Sequence, residues 1–197
     1  MKTILIMPVK KNSSRLKNKN ILPILDKPMF IFTLFEAMKC KFIDKFYVST
    51  ESEEIIKICK NYKVNFIKRP KRLSKKKTEK QEVIVNALDQ LKKRKIIPNV
   101  IISLQANSPE LKKVHLEKAF KFFIKKLHPN APIKELITIN SKNIQDAAFR
   151  IMTYKAAFQR TLSTKLGVFR TNLTDIHTKQ DYLFIKKKIE KKRKKNI

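Results

Sequence analysis

The segment from Thr3 to Asn20 reads TILIMPVKKNSSRLKNKN. Its first five residues form a short apolar run, which predicts a strand at the start of the chain. The rest of the segment is basic and polar, and it predicts an exposed loop that follows the strand directly. In an open α/β sheet, the loops beyond the carboxyl ends of the strands bind ligands. This segment therefore links the predicted fold to a predicted site.

Short strand-like runs alternate with amphipathic helical runs along the chain, as in a single layered α/β domain with a mostly parallel sheet. The predicted strands are Thr3–Met7, Lys45–Ser49, Val64–Ile67, Val100–Leu104, Leu136–Ile139 and Gly167–Phe169. The predicted helices are Met29–Cys40, Glu51–Asn61, Glu79–Lys93, Lys113–Leu127 and Lys179–Lys192. Capping-box spacing relates Thr50 to Glu53 and Thr78 to Gln81. The less periodic stretch from Asn140 to Leu166 is expected to leave the sheet and return.

The chain is strongly basic, with 47 Lys and Arg against 16 Asp and Glu and a net charge of +31 over 197 residues. Lysine is spread through nearly every predicted helix and loop, which favours a solvated surface over a nucleic-acid interface. The exception is Lys186 to Lys195, where eight of ten residues are Lys or Arg. We therefore predict a domain over residues 1–185 and a basic tail over 186–197.

The sequence indicates a cytoplasmic protein. No run approaches the roughly 20 apolar residues that span a bilayer, and no signal peptide is recognisable. Cys40 and Cys59 form no disulfide framework, which fits a reducing compartment. His115 and His128 have no partner in the sequence pattern and are interpreted as surface residues.

The loop after the first strand offers five cations among small polar residues, namely Lys10, Lys11, Arg15, Lys17 and Lys19. A triphosphate carries about four negative charges, and its site needs cations and N–H donors directed at the oxygens. Such a site and an ordinary exposed basic turn both fit the loop, because lysine is frequent everywhere in this chain.

Six segments, in order from Met1 to about Phe184, resemble the acylneuraminate (CMP-sugar) cytidylyltransferases. The first loop is similar to the signature Pro-Ala-Arg-Gly-Gly-Ser-Lys-Arg-Leu-Pro-Gly-Lys-Asn at Pro8, Ser13, Arg15, Leu16, Lys19 and Asn20. Its Ser13-Ser14-Arg15 also resembles the Ser-Thr-Arg of the related ketodeoxyoctonate cytidylyltransferases. The later matches are Leu25–Pro28, Tyr47–Ile55, Lys68–Pro70, Leu104–Pro109, and Gly167–Phe169 together with Asp175–Asp181.

The resemblance implies a Rossmann-like nucleotidyltransferase fold of the glycosyltransferase-A type. It implies transfer of CMP from CTP to a 2-keto sugar acid of the sialic-acid type, with release of pyrophosphate, by a homodimer. The implied catalytic residues are Lys19, Arg15 and Lys10. The implied nucleotide-binding residues are Ser13, Asn20, Arg69 and Gln105, and Gln105 would lie between nucleotide and sugar. Asp175 and the position of His177 would hold Mg²⁺, or Mn²⁺.

Three residues of the irregular segment, Arg150, Gln159 and Arg160, are candidates for binding the sugar. Arginine can grip a carboxylate through two parallel hydrogen bonds. Structural salt bridges are the competing use of the two arginines.

The chain departs from the family pattern at three positions. Lys11 and Asn12 replace two loop glycines, and lysine adopts positive φ less readily than glycine or asparagine. His177 replaces a carboxylate, although Mg²⁺ prefers hard oxygen ligands and imidazole suits Mn²⁺ better. These changes leave open a catalytically weak or inactive relative, and the net charge leaves open a basic nucleic-acid-binding protein. Gly167, the single glycine, is expected where φ is positive or where a ligand approaches.

Overall fold

A seven-stranded sheet lies at the centre of the fold in the computed structural model, which describes residues 1–13, 15–127 and 133–195. The strands in chain order are β1 (Thr3–Pro8), β2 (Pro23–Ile24), β3 (Lys27–Pro28), β4 (Lys45–Thr50), β5 (Asn65–Lys68), β6 (Val100–Leu104), β7 (Glu135–Ile139), β8 (Gln145–Thr153) and β9 (Leu166–Arg170). The sheet has the order β5-β4-β1-β6-β8-β7-β9, and β2 pairs with β3 separately. Within the seven-stranded sheet, the described pairings are all parallel except those of β8, which runs antiparallel to β6 and β7. The predicted mostly parallel α/β fold is therefore confirmed.

Helices cover both faces of this sheet. They are α1 (Met29–Met38), α2 (Glu53–Asn61), α3 (Lys80–Lys93) and α4 (Lys113–Lys126). The last helix, α5 (Lys179–Lys195), packs against the start of α1 and the β2–β3 segment. Successive residues of β1 point to opposite faces, as the two-residue period of a strand requires. Leu5 and Met7 pack in the core that α1, α2 and α4 cover, whereas Ile4 and Ile6 pack against α3. This arrangement leaves the carboxyl ends of the strands clear of helices and available for a site.

The stretch from Asn140 to Leu166 contains β8, which the sequence analysis missed. The expectation that this stretch leaves the sheet is wrong for Gln145–Thr153, which lies between β6 and β7 and pairs with both. The segment QDAAFRIMT has few β-branched residues and no regular alternation, so its strand state comes from pairing on both sides. Residues 154–165 then leave the sheet as predicted, before β9.

Both predicted capping boxes are wrong by one or two residues. Ser52 caps α2, because its Oγ accepts a hydrogen bond from the Ile55 N–H at 3.4 Å. Thr50 is still part of β4, and so the helix begins later than the pattern suggested. At α3 the Glu79 N–H donates to Glu82 Oε1 at 3.1 Å, a neighbouring pair with the same spacing.

Gly167 lies in β9, where a neighbouring side chain leaves little room for a Cβ atom. Its φ is not positive. A Cβ atom at this position would lie 2.7 Å from Ile133 Cδ1. The expectation of positive φ is therefore wrong, the neighbouring isoleucine accounts for the glycine, and a contact with a ligand stays a prediction.

The basic C-terminal residues continue α5 without a break, so the predicted boundary at residue 185 lies inside a helix. The helix begins at a reciprocal pair: Asp181 N–H donates to Thr178 Oγ1 at 3.1 Å, and Thr178 N–H donates to Asp181 Oδ2 at 2.8 Å. Further along, Lys188 forms a salt bridge with Glu110 at 2.6 Å. Residues 196 and 197 lie outside the described residues. None of the described helices has the length and apolar character needed to cross a membrane.

Candidate active site

A cavity of about 280 Å³ lies beyond the carboxyl ends of β1, β5 and β6. Its wall contains nine of the twelve residues proposed from the sequence, namely Lys10, Ser13, Arg15, Lys19, Asn20, Arg69, Gln105, Asp175 and His177. They come from four separate stretches of the chain, which the parallel topology brings to one edge of the sheet. We call this space the main cavity.

The first loop adopts its shape without glycine. Neither Lys11 nor Asn12 has a positive φ, so the lost glycines impose no strain at these two positions. The left-handed residue is Asn18, with φ 54°, at the position of the last glycine of the family signature. Asparagine tolerates this region better than most residues. Asn20 Nδ2 then donates to the Lys10 carbonyl oxygen at 2.9 Å and ties the two ends of the loop together. Ser14 of this loop lies outside the described residues.

Arg69 is buried and is held by the protein itself. Its Nη2 donates to Glu51 Oε2 at 2.7 Å, which compensates the buried charge. Its Nε donates to Ser74 Oγ at 3.2 Å, and its Nη1 donates to the Ser49 carbonyl oxygen at 3.3 Å. Arg69 therefore holds together the ends of β4 and β5 where they border the main cavity. A direct contact between Arg69 and a nucleotide stays a prediction.

Lys19 connects the first loop to the segment that carries Asp175 and His177. Its Nζ donates to the Ile176 carbonyl oxygen at 2.8 Å. Asn107 Nδ2 donates to the same oxygen at 3.0 Å. Burial lowers the pKa of Lys19 to about 8, although the charge of Asp175 acts against this shift. At neutral pH the ammonium group is therefore still mostly cationic.

Asp175 is the carboxylate of the main cavity. Burial raises its pKa to about 6, while a hydrogen bond from the Ser108 hydroxyl and the charge of Lys80 oppose the shift. Asp146, held by the Thr171 hydroxyl, adds to the increase in the pKa of Asp175. Asp175 and Asp146 also line a second cavity of about 390 Å³ on the far side of Asp175.

His177 lines both of these cavities. Its backbone N–H donates to Asp181 Oδ2 at 2.8 Å, so the start of α5 positions it. Burial, reinforced by the charges of Lys19 and Arg15, lowers the pKa of the imidazole. The ring is therefore neutral at pH 7. Its Nδ1 atom is buried and has no hydrogen-bond partner among the described residues.

The three candidates for the sugar carboxylate do not lie together on the main cavity. Arg150 forms a salt bridge with the buried Glu135 and donates to Gln81 Oε1 at 2.6 Å. It lines a cavity of about 90 Å³ next to the main one. Gln159 and Arg160 line a different cavity, whose wall also includes Glu79, Glu82 and Asp89. Their roles toward a sugar stay predictions.

Four residues of the site were missed in the sequence: Lys80, Asn107, Ser108 and Asp146. Asn107 and Ser108 belong to the matched segment Leu104–Pro109, and that match was the available signal. Lys80 gave no signal, because it is one lysine among many. His115 accepts a hydrogen bond from the Lys112 N–H at 3.0 Å at the start of α4, a local structural role. His128 lies outside the described residues.

Comparisons with known proteins bear on the family and the fold of this chain. A family model described as cytidylyltransferase matches residues 4–196. A Helicobacter pylori protein, named pseudaminic acid cytidylyltransferase and UDP-2,4-diacetamido-2,4,6-trideoxy-beta-L-altropyranose hydrolase, is 27% identical over 85% of this chain and 29% of its own length. The pseudaminic acid cytidylyltransferase of Campylobacter jejuni (serotype O:2) is 27% identical over 93% of this chain and 84% of its own. The structure of a CMP:2-keto-3-deoxy-manno-octonic acid synthetase complexed with CTP matches the fold with a TM-score of 0.77, at 11% identity, over 98% of this chain and 100% of that one.

Proposed function

This chain belongs to the cytidylyltransferase family, and we propose that it transfers CMP from CTP to a 2-keto sugar acid of the sialic-acid type, releasing pyrophosphate. The observation that carries the proposal is the main cavity, because nine residues proposed from the sequence meet there. An acidic sugar is the chosen acceptor because two relatives are named for pseudaminic acid. The chain spans under a third of the Helicobacter pylori protein, so that protein's second named activity is not proposed here.

The charges of the main cavity suit a triphosphate. Apart from Arg69, which is paired with Glu51, the wall carries five cations and one carboxylate: Lys10, Arg15, Lys19, Lys75, Lys80 and Asp175. A triphosphate carries about four negative charges, which would balance this excess of positive charge. Sites that bind triphosphates commonly place fixed cations at the phosphate oxygens. Ser13 and Asn20 add small polar side chains to the same wall, and such side chains can form hydrogen bonds with a nucleotide.

In the proposed reaction the anomeric hydroxyl of the sugar attacks the α-phosphate of CTP, and pyrophosphate leaves. Phosphoryl-type transfer needs positioning and charge stabilisation more than covalent help from the protein. Lys19, Arg15 and Lys10 would stabilise the charge that develops on the phosphate oxygens. Gln105 lines both the main cavity and the cavity of Arg150, which supports its place between nucleotide and sugar.

The second cavity, on the far side of Asp175 and His177, suits the sugar. It is lined by amide and hydroxyl side chains together with Asp146, and it contains no Lys or Arg: Asn140, Ser141, Gln145, Asn172 and Thr174. Such groups donate to and accept from sugar hydroxyls. An acceptor in this cavity and a triphosphate in the main cavity would meet at Asp175.

A divalent cation fits this site through Asp175. The Oδ2 atom of Asp175 accepts no hydrogen bond from the described residues, and the pattern Mg²⁺ favours is one or two carboxylates completed by substrate phosphates and water. No group of three His, Cys, Asp or Glu side chains in the described ranges would hold a metal unaided. When bound, Mg²⁺ or Mn²⁺ would neutralise phosphate charge and polarise the attacking oxygen. His177, a nitrogen donor, suits Mn²⁺ better than Mg²⁺.

His177 also favours a second candidate, a relative that binds nucleotide with weak or no turnover. Replacing a carboxylate by a neutral imidazole removes both a negative charge and a hard ligand from the metal site. Nucleotide binding without product formation would identify this candidate.

A homodimer in the cytoplasm is part of the proposal. Val168 on the edge strand β9 is 47% exposed, and an apolar edge strand is a usual place for self-association. Cys40 and Cys59 are both buried and unpaired, which fits a reducing compartment.

A thermal-shift screen of CTP, UTP, GTP and ATP with Mg²⁺ or Mn²⁺ tests the nucleotide part of the proposal. A ligand at 100 times its Kd adds about 2.7 kcal/mol of stability. We expect the largest increase in Tm with CTP. Equal increases with all four nucleotides that vanish at moderate salt would indicate nonspecific polyanion binding and contradict the proposal.

A further inference from the structure

Lys80 is a charged residue of the main cavity without a structural partner. It is the first residue of α3, and it lines both the main cavity and the smaller cavity that contains Gln105 and Arg150. In the part of the chain that the structure describes, its ammonium group makes no hydrogen bond and no salt bridge. By contrast, Lys19 donates to the Ile176 carbonyl oxygen, and Lys11 pairs with Glu54 at 2.8 Å.

The position of Lys80 is unfavourable for the isolated protein. The N-terminus of a helix carries partial positive charge, so a cation in the first turn is destabilising. Glu79 at the N-cap and Glu82 in the first turn supply acidic groups to the start of α3, but neither forms a salt bridge with Lys80. The side chain of Lys80 is exposed to solvent, yet nearby protein atoms lower its pKa, and the charge of Asp175 partly offsets this shift. Departures from local preference are expected at functional positions.

Lys80 also lies close to the other charged groups of the site. Its charge influences the pKa values of Lys19, Asp175 and His177, which come from the first loop and from the segment before α5. An anion in the main cavity would therefore meet Lys80 from the α3 side and Lys10, Arg15 and Lys19 from the first loop. Gln105 follows β6 and lines the same two cavities as Lys80.

We propose that Lys80 binds a phosphate oxygen of the nucleotide, where the main cavity opens into the cavity of Arg150. This inference rests on the proposed function, since it takes the anion to be the triphosphate of CTP. Lys80 then supplies positive charge to the phosphate directly from the protein, independently of any metal ion held at Asp175. The helix N-terminus and the ammonium group repel each other without a ligand, and a bound phosphate satisfies both.

The test compares Lys80→Gln with Lys76→Gln, a matched change four residues earlier on the exposed surface outside the main cavity. CTP affinity is measured by isothermal titration calorimetry with Mg²⁺ and again in EDTA. Loss of one charge-assisted hydrogen bond weakens binding about tenfold or more. We expect this loss for Lys80→Gln under both conditions, no loss for Lys76→Gln, and partial recovery for Lys80→Arg.

Two further measurements distinguish a phosphate-binding role of Lys80 from a purely structural one. The ligand-free Lys80→Gln protein should have a Tm equal to or above that of the wild type, because the change removes an uncompensated cation. A lower Tm would show that Lys80 is structural and would overturn the proposal. CTP affinities of Lys80→Gln and wild type within twofold of each other would also overturn it, even if the KM for the sugar rose. A wild-type protein that binds no CTP would instead contradict the proposed function itself.

Discussion

The Nζ atom of Lys19 donates a hydrogen bond to the carbonyl oxygen of Ile176 at 2.8 Å, across 157 residues of sequence. Ile176 stands between Asp175 and His177, so one contact joins the basic loop to the segment proposed to hold the metal. Asn107, just beyond β6, donates to the same carbonyl oxygen. Three distant stretches of the chain are thus fixed relative to each other at the main cavity. Lys19 therefore holds the first loop against the segment of Asp175 and His177, and it also supplies positive charge to the main cavity.

Replacement of Lys19 should be far more harmful than loss of a surface lysine. Lys19→Ala removes a preorganised cation and should lower kcat by about 100-fold or more, which is the usual cost of one charge-stabilising donor. Lys191→Ala, in the exposed basic part of α5, is the control and should leave kcat unchanged. Steady-state kinetics with CTP and sugar acid measure both. Similar effects of the two changes would mean that bulk charge, not the loop, binds the nucleotide.

The pKa of Lys19 predicts opposite effects of alkaline pH on binding and on stability. Lys19 loses its charge as the pH rises through about 8, so CTP affinity should fall there. In the unfolded chain the pKa is near 10.5, so between about pH 8 and 10.5 the unfolded state binds more protons. The contribution of Lys19 to the free energy of unfolding should therefore increase with pH in this window.

Lys19→Arg tests this assignment, because a guanidinium group keeps its charge throughout the range. CTP affinity and the free energy of unfolding are measured from pH 7 to 10 for both proteins. The alkaline loss of affinity should be much smaller in Lys19→Arg. An identical pH profile in the two proteins would show that another group titrates.

The sequence predicted the positions of most elements from local signals, and it predicted the residues of the main cavity from the resemblance to a family. Short apolar runs specify β1 and β6, and the matched loops follow strand ends that parallel topology brings together. The strand β8 could not be predicted, since Gln145–Thr153 has no alternation and its pairing with β6 and β7 is a tertiary effect.

The conformation of the first loop could not be predicted from the sequence either. Its strain was expected at Lys11 and Asn12, yet the left-handed residue is Asn18. Which signature glycine has positive φ depends on the path of the loop, which the pattern alone does not give. Lys80 was missed for a different reason: among so many lysines, only its place beside Asp175 and Gln105 distinguishes it.

The choice of metal should follow the residue at position 177. With His177 as a ligand, activity should be higher with Mn²⁺ than with Mg²⁺, and His177→Asp should restore a preference for Mg²⁺. Asp175→Ala should abolish activity with either ion. Activity measured against the concentration of each ion, together with nucleotide binding in EDTA, checks these effects. An active His177→Ala protein with unchanged metal preference would show that Asp175 works with water and substrate oxygens alone.

Gly167 should be replaceable once its neighbour is trimmed. Gly167→Ala places a Cβ atom 2.7 Å from Ile133 Cδ1 and should lower the free energy of unfolding by about 1 kcal/mol, as moderate overpacking does. Ile133→Val removes that Cδ1 atom. In the Ile133→Val protein, the added Gly167→Ala should be neutral or stabilising, because alanine restricts the unfolded chain. Denaturant unfolding of the four proteins measures the coupling. A coupling energy near zero would contradict the packing explanation.

The most direct test of cytidylyl transfer is a mass-spectrometric assay for a CMP-sugar in a mixture of the purified protein, CTP, Mg²⁺ or Mn²⁺ and a sialic-acid-type 2-keto sugar acid. Two acids of the proposed class, N-acetylneuraminic and pseudaminic acid, are assayed in parallel. We predict a CMP-sugar from at least one of them, with one pyrophosphate released for each and no product from UTP, GTP or ATP. CTP binding without any CMP-sugar, with either acid and either ion, would contradict the account and identify the chain as a nucleotide-binding relative.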